Sequence, residues 1–242
     1  MPGRKLKIVT NHYYHIYNRG VAKLPTFTDM YEYKRFINLI DYYRFINTPL
    51  KYSSFIKLPI HARRMVFQNL LLTNKLQVEI VSFILMPNHF HFTLKQITTG
   101  GISKFIANVT NSYTKYVNTK KDRVGPLFQG KFKAVIVNTT EQLIHLSRYQ
   151  HLNIYTSQLV TSFDKLLTYP YSSLPDYIRI EKVHDFISTD IIHSHFKSKS
   201  AYKKFVLDHA DYQKKLGRIK KLTLEKPAKL VPTHLRGGWT RN

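Results

Sequence analysis

The chain has 242 residues and is 43% hydrophobic, enough to bury a sizeable core in one large domain or in a domain with appendages. Its 38 Lys and Arg against 14 Asp and Glu give a formal charge of +24, an excess that calls for a polyanionic partner. No run approaches the ~18–20 apolar residues of a membrane span, the first twenty residues lack the apolar core of a signal peptide, and the lack of Cys excludes disulfides and thiolate metal sites. Nucleic acid is therefore favoured over a lipid surface, in a reducing cytoplasm. The 17 Tyr and 15 Phe suit stacking of exposed bases, although β-strand preference and core packing account for most of them.

In chain order, "HYYHIYN" (12–18) is aromatic and β-prone and predicts a first strand ending at the turn signal Asn18-Arg19-Gly20. Residues 29–46 place Tyr33, Phe36, Ile37, Ile40 and Tyr43 at helical spacing, with Asp29 as a cap. Residues 47–76 read as a linker and a polar, partly helical insertion. The nearly unbroken apolar run "VEIVSFILM" (78–86) predicts an interior strand covered on both faces, broken by Pro87-Asn88. "HFHFTLK" follows with clean alternation, Phe90, Phe92 and Leu94 on one face and His89, His91, Thr93 and Lys95 on the other. A helix over 101–120 carries an apolar stripe that includes Phe105, Val109 and Tyr113. Residues 122–138 read as a basic Gly/Pro loop entering a strand, and Thr139 opens another helix, with Gln142 placed as in a capping box. Past 155 the pattern loosens into loops and a helical region near 185–212. The stretch 214–242, with nine Lys/Arg and one acid, reads as a flexible basic tail.

Two His-x-His pairs occur, His89/His91 and His193/His195, and chance alone yields roughly 0.6 such pairs in a chain this rich in His. Structural setting separates them. On a strand, residues i and i+2 point the same way about 6.5–7 Å apart, so two imidazoles can converge on one ion. On a helix they diverge by about 200°. "TDIIHSHFKS" is helix-like, capped by Thr189 or Asp190, so His193 and His195 read as surface or packing residues. His89 and His91 form the usable pair, and they need a third donor from elsewhere. On the helix after Thr139, Tyr149 and Asn153 stand four apart on one face. An Asn carbonyl is a hard neutral donor acceptable to Mg²⁺ or Mn²⁺, and a phenol beside the ion suits attack on a phosphodiester. Spacing alone does not select Tyr149 from 17 tyrosines.

With these residues in place, the chain resembles the single-tyrosine HUH transposases, in particular the REP-associated tyrosine transposase branch. His89-Phe90-His91 within "LMPNHFHF" resembles the family's histidine hairpin, "YHIYNRG" (14–20) its first strand, "GPLFQGKFKAVIV" (125–137) its basic segment and "RYQHLN" (148–153) its nucleophile helix. "YPYSS" (169–173), "FISTD" (186–190) and "AYKKFV" (201–206) resemble its C-terminal region, so the matches run in family order over about residues 12–210. The resemblance implies that Tyr149 is the nucleophile and that His89, His91 and Asn153 hold a divalent metal, Mg²⁺ or Mn²⁺. It further implies cleavage of single-stranded DNA at or near a hairpin, giving a 5′-phosphotyrosine and a free 3′-OH able to attack again in strand transfer. The family commonly continues Asn-Pro after the helix asparagine. Here Ile154-Tyr155-Thr156 follow, which implies a longer helix.

Around this site, Lys131, Lys133, Arg148 and Arg19 are candidates to neutralise phosphates, and Gln129 to read a base edge. Tyr113 and Tyr116 read as core, Tyr155 as pointing elsewhere, His145 as a neighbour able to orient the phenol, and His151 as off that face. The expected fold is α+β, an antiparallel β-sheet flanked by helices in the HUH endonuclease (ferredoxin-like or RRM-like) arrangement. Residues 1–155 form the catalytic domain, 156–213 a helical and loop extension packed on it, and 214–242 the tail. The partner is hairpin-bearing single-stranded DNA, with monomer and homodimer both open. A replication-initiator or relaxase-type nickase, and a catalytically decayed DNA- or RNA-binding module, are the competing readings.

Overall fold

The computed structural model describes residues 7–73 and 75–212. Four strands form one antiparallel sheet: β1 (Tyr13–Arg19), β2 (Val78–Met86), β3 (His89–Gln96) and β4 (Lys133–Val137), in the order β2-β3-β1-β4. With its flanking helices this is an α+β fold, as expected. The β2–β3 hairpin turns at Pro87-Asn88, where proline cannot supply the next ladder N–H, and pairs Met86 with His89 and Ile84 with His91. Register on the other side of β3 pairs His91 with Tyr17 and His89 with Arg19. That register sets both histidines beside the end of β1.

Helices α1 (Met30–Tyr43) and α4 (Gly101–Lys120) cover one face of the sheet. Asp29 starts α1 by accepting a hydrogen bond from the Glu32 N–H at 2.9 Å, satisfying one orphan donor of the first turn. Phe36 of α1 packs on Phe90 and Phe92, and Phe105 of α4 packs on Phe92. Helix α1 stops at Tyr43, short of the expected residue 46, because Phe45 turns out to bridge Leu76 and the Gln77 N–H bonds to the Arg44 carbonyl. The insertion contains two helices, α2 (Tyr52–Phe55) and α3 (Ile60–Thr73).

Helix α5 (Thr140–Thr156) covers the opposite face. Thr139 caps it through the Gln142 N–H at 3.1 Å, while the Gln142 carbonyl oxygen accepts from the Asn138 N–H, one residue before the usual capping-box partner. The helix continues past Asn153 to Thr156, the longer run expected where the family's proline is absent. Because α5 lies over β3, the second face of that strand is not solvated: Thr93 is fully buried and His91 is 7% exposed. Simple alternation underestimates this burial, since it reports polarity and not what packs above.

Beyond α5 come four short helices, α6 (Phe163–Leu167), α7 (Leu174–Ile178), α8 (Asp190–His193) and α9 (Lys199–Leu207), two of them in the stretch expected to be loops. His193 bonds the Tyr177 carbonyl at 3.0 Å and His195 is exposed, so that pair does not converge. The expected tail over 214–242 lies outside the described residues. No helix among the described residues is long and apolar enough to cross a membrane.

Candidate active site

A cleft of about 600 Å³ opens between the sheet face of β1 and β3 and the central and C-terminal turns of α5. His89 and His91 reach it from β3, Arg19 from the end of β1, Gln129 and Lys133 from the basic segment, and Tyr149 and Asn153 from α5. The residues singled out from sequence on four separate elements thus share one cavity. Two do not. Lys131 is exposed on the adjoining loop and does not line the cleft. Arg148 is 8% exposed, bonds the His145 ring at 2.8 Å and lies 4.3 Å over the Phe205 ring, so its guanidinium packs α5 against α9 and does not face the cavity.

Alternation along β1 places Tyr13, His15, Tyr17 and Arg19 on the cleft side and Tyr14 and Ile16 on the other, while Asn18 near the strand's end also lines the cleft. The Nε2 of His15 lies 2.9 Å from the Nδ1 of His91, and the two rings stack at 5.1 Å. Tyr17 stacks on His91 from its directly paired position at 5.7 Å. The Nδ1 of His89 is 2.6 Å from the Asn88 side-chain oxygen, and the Asn88 amide in turn donates to the Lys23 carbonyl at 3.0 Å, which fixes its orientation. Both candidate ligands therefore have Nδ1 engaged. In the tautomer that donates from Nδ1, each presents a lone pair on Nε2.

Burial lowers the pKa of His15 and His89 to about 4, with Arg19 adding to the effect at His89. It lowers His91 well below the usual imidazole range, and His15, His89 and Arg19 push the same way. All three rings are neutral at pH 7, the state a metal ligand requires. Tyr149 is 44% exposed, and its ring stands edge-on to His91 at 6.2 Å and to His15 at 6.4 Å. Partial desolvation raises its pKa and Tyr17 adds to the rise, while the Arg19 charge opposes them.

Among the described residues no three His, Cys, Asp or Glu side chains are arranged to hold a metal ion together. A cation held here would have two imidazoles and one neutral oxygen from the protein. The Asn153 side chain makes no hydrogen bond to the described residues, its amide nitrogen being buried without a partner, so the carboxamide oxygen is not engaged elsewhere. This neutral N, N, O set fits a divalent ion that keeps waters in its remaining positions, as Mg²⁺ and Mn²⁺ do.

The other candidates sort by burial. His151 is fully buried between the Tyr202 hydroxyl and Ser173 at 2.8 and 2.9 Å, away from the cleft as expected. Tyr113 is core, donating to the Thr26 carbonyl, and Tyr155 is 6% exposed and donates to Asp211. His145 is half-exposed beside Arg148 and Glu141, with no contact to Tyr149. Sequence reading missed His15, Tyr17 and Asn88. The period-two pattern of "YHIYNR" would have put His15 and Tyr17 on the face of Arg19, had β1 been paired with β3 in register.

Residues 42–152 match the family model described as "Transposase IS200 like". Among solved structures, the chain is similar to a REP-associated tyrosine transposase bound to a REP hairpin, 13% identical, over 78% of this chain and 93% of that one, with a TM-score of 0.50. It is also similar to a bacterial tRNA(His) guanylyltransferase-like protein in complex with ATP, 11% identical over 68% and 70%, with a TM-score of 0.33. No curated protein matches the sequence.

Proposed function

We infer that this chain, whose residues 42–152 match the IS200-like transposase family model, is a single-stranded DNA nicking and joining enzyme that acts near DNA hairpins. The observation that carries the reading is the meeting of the β3 histidines with the α5 tyrosine and asparagine in one basic cleft. Fold similarity to a hairpin-bound transposase supports the substrate class.

His89, His91 and Asn153 would hold a divalent cation, Mg²⁺ or Mn²⁺. When bound, it polarises a phosphate oxygen and offsets charge developing in the transition state. The chain's own residues do the rest. Asn88 and His15 engage the Nδ1 atoms of His89 and His91, which leaves Nε2 of each ring available to an ion. Arg19 and Lys133 neutralise phosphates beside the scissile bond, and Gln129 offers an amide to a base edge. Tyr149 attacks phosphorus: the Tyr149 Oη–P bond forms, the P–O3′ bond breaks, and the phenolic proton leaves with the 3′ oxygen as a hydroxyl. That hydroxyl can reverse the step on the phosphotyrosine, joining the strand to itself or to another 5′ end. In the free cleft burial keeps the phenol protonated and Arg19 works against burial, so ionisation is coupled to arrival of the substrate and its cation.

The test is an SDS-resistant adduct between the protein and labelled hairpin-containing single-stranded DNA in Mg²⁺ or Mn²⁺. Wild type forms it and Tyr149→Phe does not. Tight binding with no adduct, across varied hairpins and both metals, would assign the chain to the binding modules, and an adduct from Tyr149→Phe would move the nucleophile.

A further inference from the structure

The excess positive charge is not confined to the catalytic cleft. On the other side of the sheet, outside the layer made by α1 and α4, a second groove of about 690 Å³ runs between α1, α2 and α4. Arg35, Lys51, Lys57 and Lys115 line it, and no carboxylate does. A fifth cation, Lys120, is already paired with Asp29 and Glu32. Among the described residues, none of the first four has a carboxylate partner within ion-pair distance. Asn108 and Asn111 add amide donors.

Arg35 is the built part of this groove. Its guanidinium lies between two rings, 4.8 Å from the Tyr52 centroid and 4.7 Å from that of Tyr116, and its Nε is buried without a hydrogen-bond partner. A guanidinium held against two rings in this way has lost much of its rotamer freedom in advance, so an incoming phosphate meets a preorganised donor. Lysines around it supply mobile point charges.

The groove is not isolated from the chemistry. It shares Asn111, Lys115 and Thr119 with an adjoining depression that ends at Asp122 and Arg123. Ten residues later the same segment reaches Lys133, which lines the catalytic cleft. Fully stretched, ten residues span at most about 35 Å, about ten nucleotides at the 3.4 Å per nucleotide of duplex DNA. Lys131 lies along that path, whereas Lys121, just before it, is paired with Glu32.

We propose that the α1–α2–α4 groove is a second DNA site, which takes the phosphodiester backbone of the substrate where it continues beyond the cleft. It rests on the nicking-joining reading for the identity of the polyanion, but not on the metal or on Tyr149. Charge dominates the site, where four cations without a carboxylate partner stand against two amides, so the expected contact is to the backbone. Two stretches of one substrate carry this chemistry, the hairpin stem and the single-stranded flank.

Equilibrium binding in EDTA separates this proposal from the catalytic one. The probes are a short single strand covering only the scissile position and two longer DNAs, one extended by the stem and one by the flank. The triple variant Lys51→Gln/Lys57→Gln/Lys115→Gln should bind the short strand like wild type. For one of the longer DNAs it should lose most of the affinity gained by length, and the slope of log K against log salt should fall by about two to three. Whichever extension shows the loss is the occupant. Arg35→Gln should act in the same direction on the same DNA, with adduct formation on the short strand intact. Unchanged affinity and salt slope for both longer DNAs would overturn the proposal. An equal loss on all three probes would also overturn it, since it would mean general charge and not a site. If wild type forms no adduct while the length-dependent loss persists, the nicking reading fails and the groove stands.

Discussion

At the scale of single residues, the feature that most shapes this site is an imidazole that touches no proposed substrate atom. His15 meets His91 through a 2.9 Å nitrogen–nitrogen contact, one N–H shared between two neutral rings. If His91 donates from Nδ1, its Nε2 lone pair is free, and the ring is held by stacking from His15 on one side and Tyr17 on the other. Removing the His15 ring leaves a buried Nδ1–H unpaired and lets His91 rotate or change tautomer. Outer-shell changes of this kind cost roughly 10- to 100-fold in metal affinity. His15→Ala is therefore expected to weaken Mn²⁺ binding by that factor in calorimetric or EPR titrations of the DNA-free protein. Mn²⁺ affinity equal to wild type would show that His91 needs no such support. Asn88 plays the same part for His89, but its own orientation is secured by the Lys23 carbonyl, so that pair is already anchored to the backbone.

At the scale of elements, α5 buries Leu143, Leu152, Ile154 and Tyr155 in the core and carries buried polar groups beside them. Tyr149 and Asn153 face the cleft. The other side is fixed by buried hydrogen bonds: Ser82 donates to the Gln150 side-chain oxygen at 2.6 Å, and the Tyr202 hydroxyl sits 3.0 Å from Ser147 and 2.8 Å from His151. A buried network of this kind fixes rotation as well as docking, because each partner accepts only one register. Tyr202→Phe keeps the ring and removes the hydroxyl, leaving Ser147 and His151 short of a partner, which should cost about 1–3 kcal/mol in chemical denaturation. A loss below about 0.5 kcal/mol would mean that apolar packing alone seats the helix. Sequence made the front of this helix legible and not the back. The Thr139 cap, the strands at 78–86 and 89–96 and the helix at 101–120 were all readable, because periodicity and capping chemistry are local. Arg148 was misjudged and Tyr202 and His15 were missed for one reason: each depends on which distant element packs above it. A lone Arg next to a proposed nucleophile gives no local sign that Phe205, more than fifty residues on, will take its guanidinium.

At the scale of the whole molecule, the two edges of the sheet are treated differently. β4 is short and carries the exposed Lys133 and the half-exposed Val135, a charged and abbreviated edge of the sort that discourages strand addition. β2 is long, apolar and buried, and its outer edge would invite pairing if bare. Residues past α5 cover it. Ile187 bridges Ile80 in parallel and Ser172 bridges Ile84 antiparallel, the Leu85 N–H bonds the Tyr171 carbonyl, and the Ser188 N–H bonds the Ile80 carbonyl. Tyr177 and Tyr169 add hydroxyl bonds to the carbonyls of Val81 and Leu85. These are ladder positions filled by irregular chain, so the segment over 171–188 acts as a fifth, broken strand. Removing it would leave β2 backbone groups unpaired and a row of Val, Ile and Phe side chains uncovered. A protein ending at residue 155 is therefore expected to aggregate or self-associate in size-exclusion chromatography, and to lose the cooperative thermal transition of the full chain. A monomeric 1–155 fragment with a sharp transition and adduct-forming activity would show that the catalytic unit ends with α5, and that the rest of the chain covers an edge which needs no cover.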